Sequence, residues 1–208
     1  MTSLLLNLGI VNASLRALPL DLPSPLLLPK MSDAEFDQFC CINRDLRIER
    51  NSIGEIIVMS PTFSDTGNRN LKISAQVFNW AEIDGTGEVF DSSTGFTLPN
   101  GAMRSPDTSW IQSNRWNALS PEEQASFAPI VPDFVIELRS SSDTLNSLQE
   151  KMQEYIEQGV QLGLLIDRKN CNVYVYRPNL VFELLKNPEV VNCEPELSGF
   201  GLKMTKIW

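Results

Sequence analysis

Val131-Pro132-Asp133-Phe134-Val135-Ile136-Glu137-Leu138-Arg139 decides the fold. Val131 to Leu138 is short, apolar and rich in β-branched residues, which predicts a central strand. Side chains alternate along a strand. Phe134, Ile136 and Leu138 therefore share one face, and Asp133, Val135, Glu137 and Arg139 share the other. A carboxylate in such a run needs a partner or a task, because burying a lone charge is costly. Glu137 either pairs with Arg139 or another cation as a structural ion pair, or belongs to a site.

The flanking segments extend the pattern. Thr144 to Gln158 predicts a helix closed by Gly159. Leu145, Leu148, Met152, Tyr155 and Ile156 form its apolar face, and Lys151 falls roughly 90° from the centre of that face. Such a lysine either reaches over the sheet edge or snorkels to water. Strands are expected over Val160 to Asp167, Asn172 to Arg177 and Val181 to Leu185. Upstream, Pro106-Asp107-Thr108-Ser109-Trp110-Ile111 predicts a strand on which Asp107 and Ser109 point opposite to Thr108 and Trp110. Glu88 to Asp91 and Gly95 to Leu98 are short strands, with a turn at Asn100-Gly101. Asn114 to Phe127 holds one or two short helices, starting again at Ser120-Pro121-Glu122-Glu123.

Nearer the N-terminus, Ser32 to Cys41 predicts a helix opened by a Ser32/Glu35 capping box, with Phe36, Phe39 and Cys40 inward. Leu46 to Glu49 and Glu55 to Met59 predict a hairpin. Gly67 to Ile83 predicts a long helix whose apolar face is Leu71, Ala75, Phe78 and Ala81. The order of elements is that of an α/β (α+β) fold with a mixed central β-sheet flanked by helices.

The chain has 208 residues and 42% apolar content, enough for one cored domain, expected over 31–208. The leucine- and proline-rich segment 1–30 is expected to be an arm or tail. It lacks the early basic residues of a signal peptide, and no stretch has the roughly 18–20 apolar residues of a membrane span. The net charge of −9 argues against a protein that merely coats nucleic acid. Histidine is absent, which removes His-based triads, His-metal proteases and HNH-type nucleases. Cys40, Cys41, Cys171 and Cys193 make no C-x-x-C pair and read as free thiols of a cytoplasmic protein.

Asp107 follows a proline, where an aspartate often caps a turn. Glu49, between Arg47-Ile48 and Arg50, has a surface ion pair as its plain explanation. Together with Glu137 and Lys151 these residues suit another task. Hydrolysing a phosphodiester calls for a metal that activates water and neutralises oxyanion charge. Mg²⁺ takes hard oxygen ligands, usually one or two carboxylates, and keeps several waters. Asp107 and Glu137 would be ligands, the Leu138 carbonyl a third, and Lys151 would orient the attacking water. Arg139 stays protonated, so it can hold phosphate but not accept a proton.

At this point the residues match a known family. Leu46-Arg47-Ile48-Glu49-Arg50 and Gly54-Glu55-Ile56-Ile57-Val58-Met59-Ser60-Pro61-Thr62 resemble the opening of the Uma-two family of restriction endonucleases, abundant in cyanobacteria. Phe90-Asp91-Ser92-Ser93-Thr94-Gly95-Phe96, Arg104-Ser105-Pro106-Asp107 and Pro132 to Ser140 continue it. Lys151-Met152-Gln153-Glu154-Tyr155-Ile156 and Gly199-Phe200 complete it, from about Ser32 to the C-terminus. The resemblance implies a branch of the PD-(D/E)xK superfamily: a restriction-endonuclease-like core, Mg²⁺ or Mn²⁺, DNA as substrate, and a homodimer by analogy with enzymes that cut both strands. It implies Asp107 and Glu137 as the acidic pair and Glu49 as the early acidic residue. The superfamily's usual spacing puts its lysine at position 139, where this chain has Arg139. The resemblance moves that role to Lys151. Many relatives carry a histidine in a Ser-x-x-His stretch, which here is Ser64-Asp65-Thr66-Gly67. The expected function is a metal-dependent DNA endonuclease. Its rivals are a catalytically silent nucleic-acid-binding or regulatory module on the same fold, and a carboxylate-pair hydrolase of the glycosidase kind, disfavoured by the lysine.

Overall fold

The computed structural model describes residues 31–59 and 61–208. The expected arm or tail over 1–30 lies outside them. The helices are α1 (Asp33–Ile42), α2 (Ser64–Asp84), α3 (Ser113–Trp116), α4 (Pro121–Gln124) and α5 (Leu145–Gln158). The strands are β1 (Arg47–Arg50), β2 (Ile56–Met59), β3 (Gly87–Asp91), β4 (Phe96–Thr97), β5 (Met103–Arg104), β6 (Thr108–Gln112), β7 (Phe134–Leu138), β8 (Leu162–Asp167), β9 (Asn172–Tyr176), β10 (Glu183–Lys186), β11 (Val190–Asn192) and β12 (Gly201–Lys203). They group into two compact units. One takes in the described residues up to Pro61 with Gly101–Met103, the other Thr62–Asn100 with Arg104–Trp208.

In the smaller unit the capping box forms as expected. Ser32 Oγ accepts from the Glu35 N–H, and the Glu35 carboxylate accepts from the Ser32 N–H at 2.8 Å. A cap of this kind contributes about 1 kcal/mol. It opens α1, which buries Phe36 and Phe39. β1 and β2 pair antiparallel from Arg47↔Met59 to Arg50↔Ile56. Their turn is fixed by Asn51, whose Oδ1 accepts from the N–H of Glu55 at 2.8 Å. Arg50 reaches Asp33 at 2.7 Å, donates to the Gly101 carbonyl at 3.1 Å and lies over the Phe36 ring.

The larger unit is built on a mixed six-stranded sheet in the order β10-β9-β8-β7-β6-β3. Every neighbouring pair is antiparallel except β7 and β8, which run parallel and are joined through α5. That connection is needed because parallel neighbours cannot be joined by a tight hairpin. One face carries Trp110, Phe134, Ile136, Leu138, Leu164 and Val175 against Ile73, Val77 and Ala81 of α2, along with Phe200, Leu202 and Ile207 of the C-terminal segment. The other face receives α5, which buries Leu148, Met152 and Tyr155. Gly163 makes this approach possible: a Cβ there would lie 2.4 Å from the Met152 methyl. Helices on both faces of the sheet confirm the expected α/β class.

One expectation is corrected. The buried stripe of α2 is Thr66, Ile73, Val77 and Ala81, while Leu71 and Phe78 are 69% and 51% exposed. Both stripes repeat at helical spacing, and Leu71 and Ile73 stand 200° apart at about 100° per residue. Periodicity alone therefore leaves the phase open, and the sheet sets it by taking the β-branched pair. The segment after Pro188, for which the sequence signals no element, forms the antiparallel hairpin of β11 and β12.

Candidate active site

Glu137 sits on β7 between Ile136 and Leu138, which face α2. Alternation turns it to the α5 face, and α5 supplies its partners. Lys151 Nζ lies 2.7 Å from Glu137 Oε1, and the Tyr155 hydroxyl donates to the same oxygen at 3.0 Å. The two helix residues are one turn apart, so both fall on the same stripe. The phase of α5 is set by its start. The Ser140 N–H donates to Asp143 Oδ2 at 2.9 Å, Arg139 Nε donates to the Asp143 carbonyl, and Thr144 Oγ1 accepts from the Ser147 N–H as the N-cap. Lys151 thus does not snorkel. Its side chain is 12% exposed and turned inward.

Asp107 stands at the start of β6. Its Oδ2 accepts from the Leu138 N–H at 2.9 Å, and its Oδ1 accepts from Asn70 Nδ2 of α2 at 3.1 Å. β6 and β7 pair Thr108 with Ile136. The ladder ends there, and beyond it the Asp107 carboxylate takes the Leu138 N–H in place of a backbone carbonyl. The same register puts Thr108 on the α2 face, where its hydroxyl meets Ser74 at 2.6 Å. Asp107, Glu137 and Lys151 are therefore tied into one constellation through the Leu138 amide and the Lys151–Glu137 pair. Glu49 lies in the smaller unit on β1, opposite Ile57, and is only 2% exposed, which rules out a surface ion pair as its plain explanation.

Neighbouring charges are used differently than their faces alone imply. Arg139 pairs with the fully buried Asp167 at 3.1 Å, so the partner of Glu137 is Lys151. Asp133 accepts from Arg115 at 2.6 Å and from the Gln112 N–H at 2.9 Å, which closes the far end of the β6–β7 ladder.

The donor set bears on metal binding. Among the described residues no three His, Cys, Asp or Glu side chains gather to cage an ion. A hydrated Mg²⁺ does not need such a cage; one or two carboxylates suffice, with waters filling the other positions. Those waters need acceptors. Asn70 Oδ1 and Ser109 Oγ are buried without a hydrogen-bond partner, on residues beside or in line with Asp107. Buried polar atoms are rarely left so unless water or an ion serves them. The carboxylates of Asp107 and Glu137 are hard oxygen donors of the kind a hydrated divalent cation takes. Asn70, Ser109 and Tyr155 were not singled out in the sequence. Only Tyr155 carried a signal, since a hydroxyl on a core-facing helix stripe must find a partner.

A mixed six-stranded sheet with helices on both faces makes this an α/β protein. The chain belongs to the Uma2 family, described as "putative restriction endonuclease", whose model matches residues 33–205. Its fold is similar to that of a "putative nuclease belonging to DUF820" from Anabaena variabilis ATCC 29413. The TM-score is 0.66 at 19% identity, over 86% of this chain and 92% of that one. No curated protein matches. No helix among the described residues is long and apolar enough to cross a membrane.

Proposed function

We propose that this chain is a metal-dependent DNA endonuclease of the PD-(D/E)xK type. The observation that carries this is the joining of Asp107 to the Leu138 amide, next to a Glu137 held by Lys151 and Tyr155. Asp107, Glu137 and the Leu138 carbonyl offer hard oxygens to Mg²⁺ or Mn²⁺. A bound divalent ion supplies Lewis acidity and lowers the pKa of a bound water. Lys151 orients the attacking water, and its charge favours the hydroxide form. Tyr155 fixes the rotamer of Glu137. As the water oxygen bonds to phosphorus, one P–O ester bond breaks; the attacking water gives its proton to bulk solvent, and the leaving oxygen takes one from it. DNA is the partner, cutting both strands calls for a homodimer, and the free thiols suit the cytoplasm.

The test is nicking of supercoiled plasmid by the purified chain. Nicked circles should appear with Mg²⁺ or Mn²⁺ and be lost with chelator, with Asp107→Asn and with Glu137→Ala. The net charge of −9 favours a second reading, a silent nucleic-acid-binding or regulatory module. Plasmid that stays supercoiled with either metal, while the chain still binds DNA, establishes that module instead.

A further inference from the structure

Asn70 does two things that α2 packing does not require. Its Nδ2 donates to Asp107 Oδ1 at 3.1 Å, and its Oδ1 is buried with no hydrogen-bond partner. The orientation of the amide is fixed by chemistry: a carboxylate only accepts, so the NH₂ end must face Asp107. The carbonyl end of the same amide therefore sits one amide carbon away from the end bonded to Asp107. Leaving a buried acceptor unserved costs about 1–3 kcal/mol.

From this geometry we infer that Asn70 is a positioning residue of the metal site, acting with one end on Asp107 and with the other on a metal-bound water. The Nδ2 hydrogen bond holds Asp107 so that Oδ2 keeps the Leu138 N–H. The Oδ1 accepts a hydrogen from water in the ion's hydration shell. The inference rests on the metal-site reading above and extends it to α2, an element with no carboxylate ligand in the site. Outer-shell partners of this kind typically contribute 10–100-fold in metal affinity.

Two substitutions separate the two ends of the amide. Asn70→Leu keeps the volume and removes both donor and acceptor. Asn70→Asp keeps acceptor oxygens but loses the donor. The readout is Mn²⁺ affinity from the metal-induced rise in Tm across a MnCl₂ titration, with the metal-free Tm of each variant as the folding control. Asn70→Leu should bind Mn²⁺ at least about tenfold more weakly than wild type. Asn70→Asp should recover most of that loss, although its metal-free Tm falls because it faces Asp107 with a like charge. Equal weakening in both variants would overturn the water-accepting role, leaving Asn70 as a prop for Asp107 alone. Wild-type affinity in both would overturn the inference altogether. A wild-type chain with no Mn²⁺ response would instead sink the metal-site reading, and this inference with it.

Discussion

The Lys151 ammonium lies 2.7 Å from a Glu137 carboxylate oxygen, and both side chains are largely withdrawn from water. Removing one partner of such a pair leaves an uncompensated buried charge, at about 3–5 kcal/mol. Lys151→Met should lower metal-free stability by about that much in urea denaturation. Because a divalent cation can replace the lost positive charge, Mn²⁺ should stabilise Lys151→Met more than wild type. Equal stabilisation of both would show that the metal does not sit against Glu137.

The approach of α5 to the sheet depends on Gly163. In Gly163→Ala the new methyl meets the Met152 Cε, with Val135 and Tyr176 close behind. Overpacking of this kind costs about 1–3 kcal/mol. Shortening the colliding side chain should relieve it, so Gly163→Ala with Met152→Ala should lose less than the sum of the single losses. Strict additivity in thermal denaturation would contradict this packing.

Much of the fold was legible because local signals and tertiary demands agreed. The Ser32 and Ser120 capping boxes, the Asn51–Gly54 turn and the β-branched run of β7 each state their own conformation. The phase of α2 was not legible, since two stripes of that helix satisfy the same period and only the sheet chooses between them. The β11–β12 hairpin was missed because a three-residue strand holds too little alternation to register. Glu137 could be singled out as a charge inside an apolar run, whereas Asp107 and Lys151 each had a plain local explanation, a turn cap and a snorkelling lysine. Asn70 and Ser109 could not, because a neutral side chain on a helix or strand carries no mark until its neighbours are known.

The four cysteines are free and differ in surroundings. Burial pushes the Cys193 and Cys40 thiols up to about 12, so both stay protonated at neutral pH. Cys41 is exposed. A disulfide reagent at pH 8 should modify Cys41 first and Cys193 only after unfolding, as read by peptide mass spectrometry. Early labelling of Cys193 would contradict its burial.

At the start of α2, the hydrogen bond from Arg168 to Asp65 holds that carboxyl below its usual value of 3.8, with Arg69 adding to the effect. A depressed carboxylate contributes stability that is present above its unfolded pKa and lost as pH falls through its folded one. The Asp65 carboxyl resonance should titrate below 3.8 in the wild type and move up in Arg168→Ala. An unchanged midpoint would show that the Arg168 contact has no hold on Asp65.

The central claim, that Asp107 and Glu137 form a metal site, is tested most directly by isothermal titration with Mn²⁺. Wild type should bind with measurable heat, Asp107→Asn and Glu137→Ala with little. Arg139→Ala should bind at least as well as wild type, because Arg139 offers only donors and is engaged by Asp167. A folded Glu137→Ala that keeps full Mn²⁺ affinity would contradict the claim and reduce the Lys151–Glu137 pair to a structural ion pair.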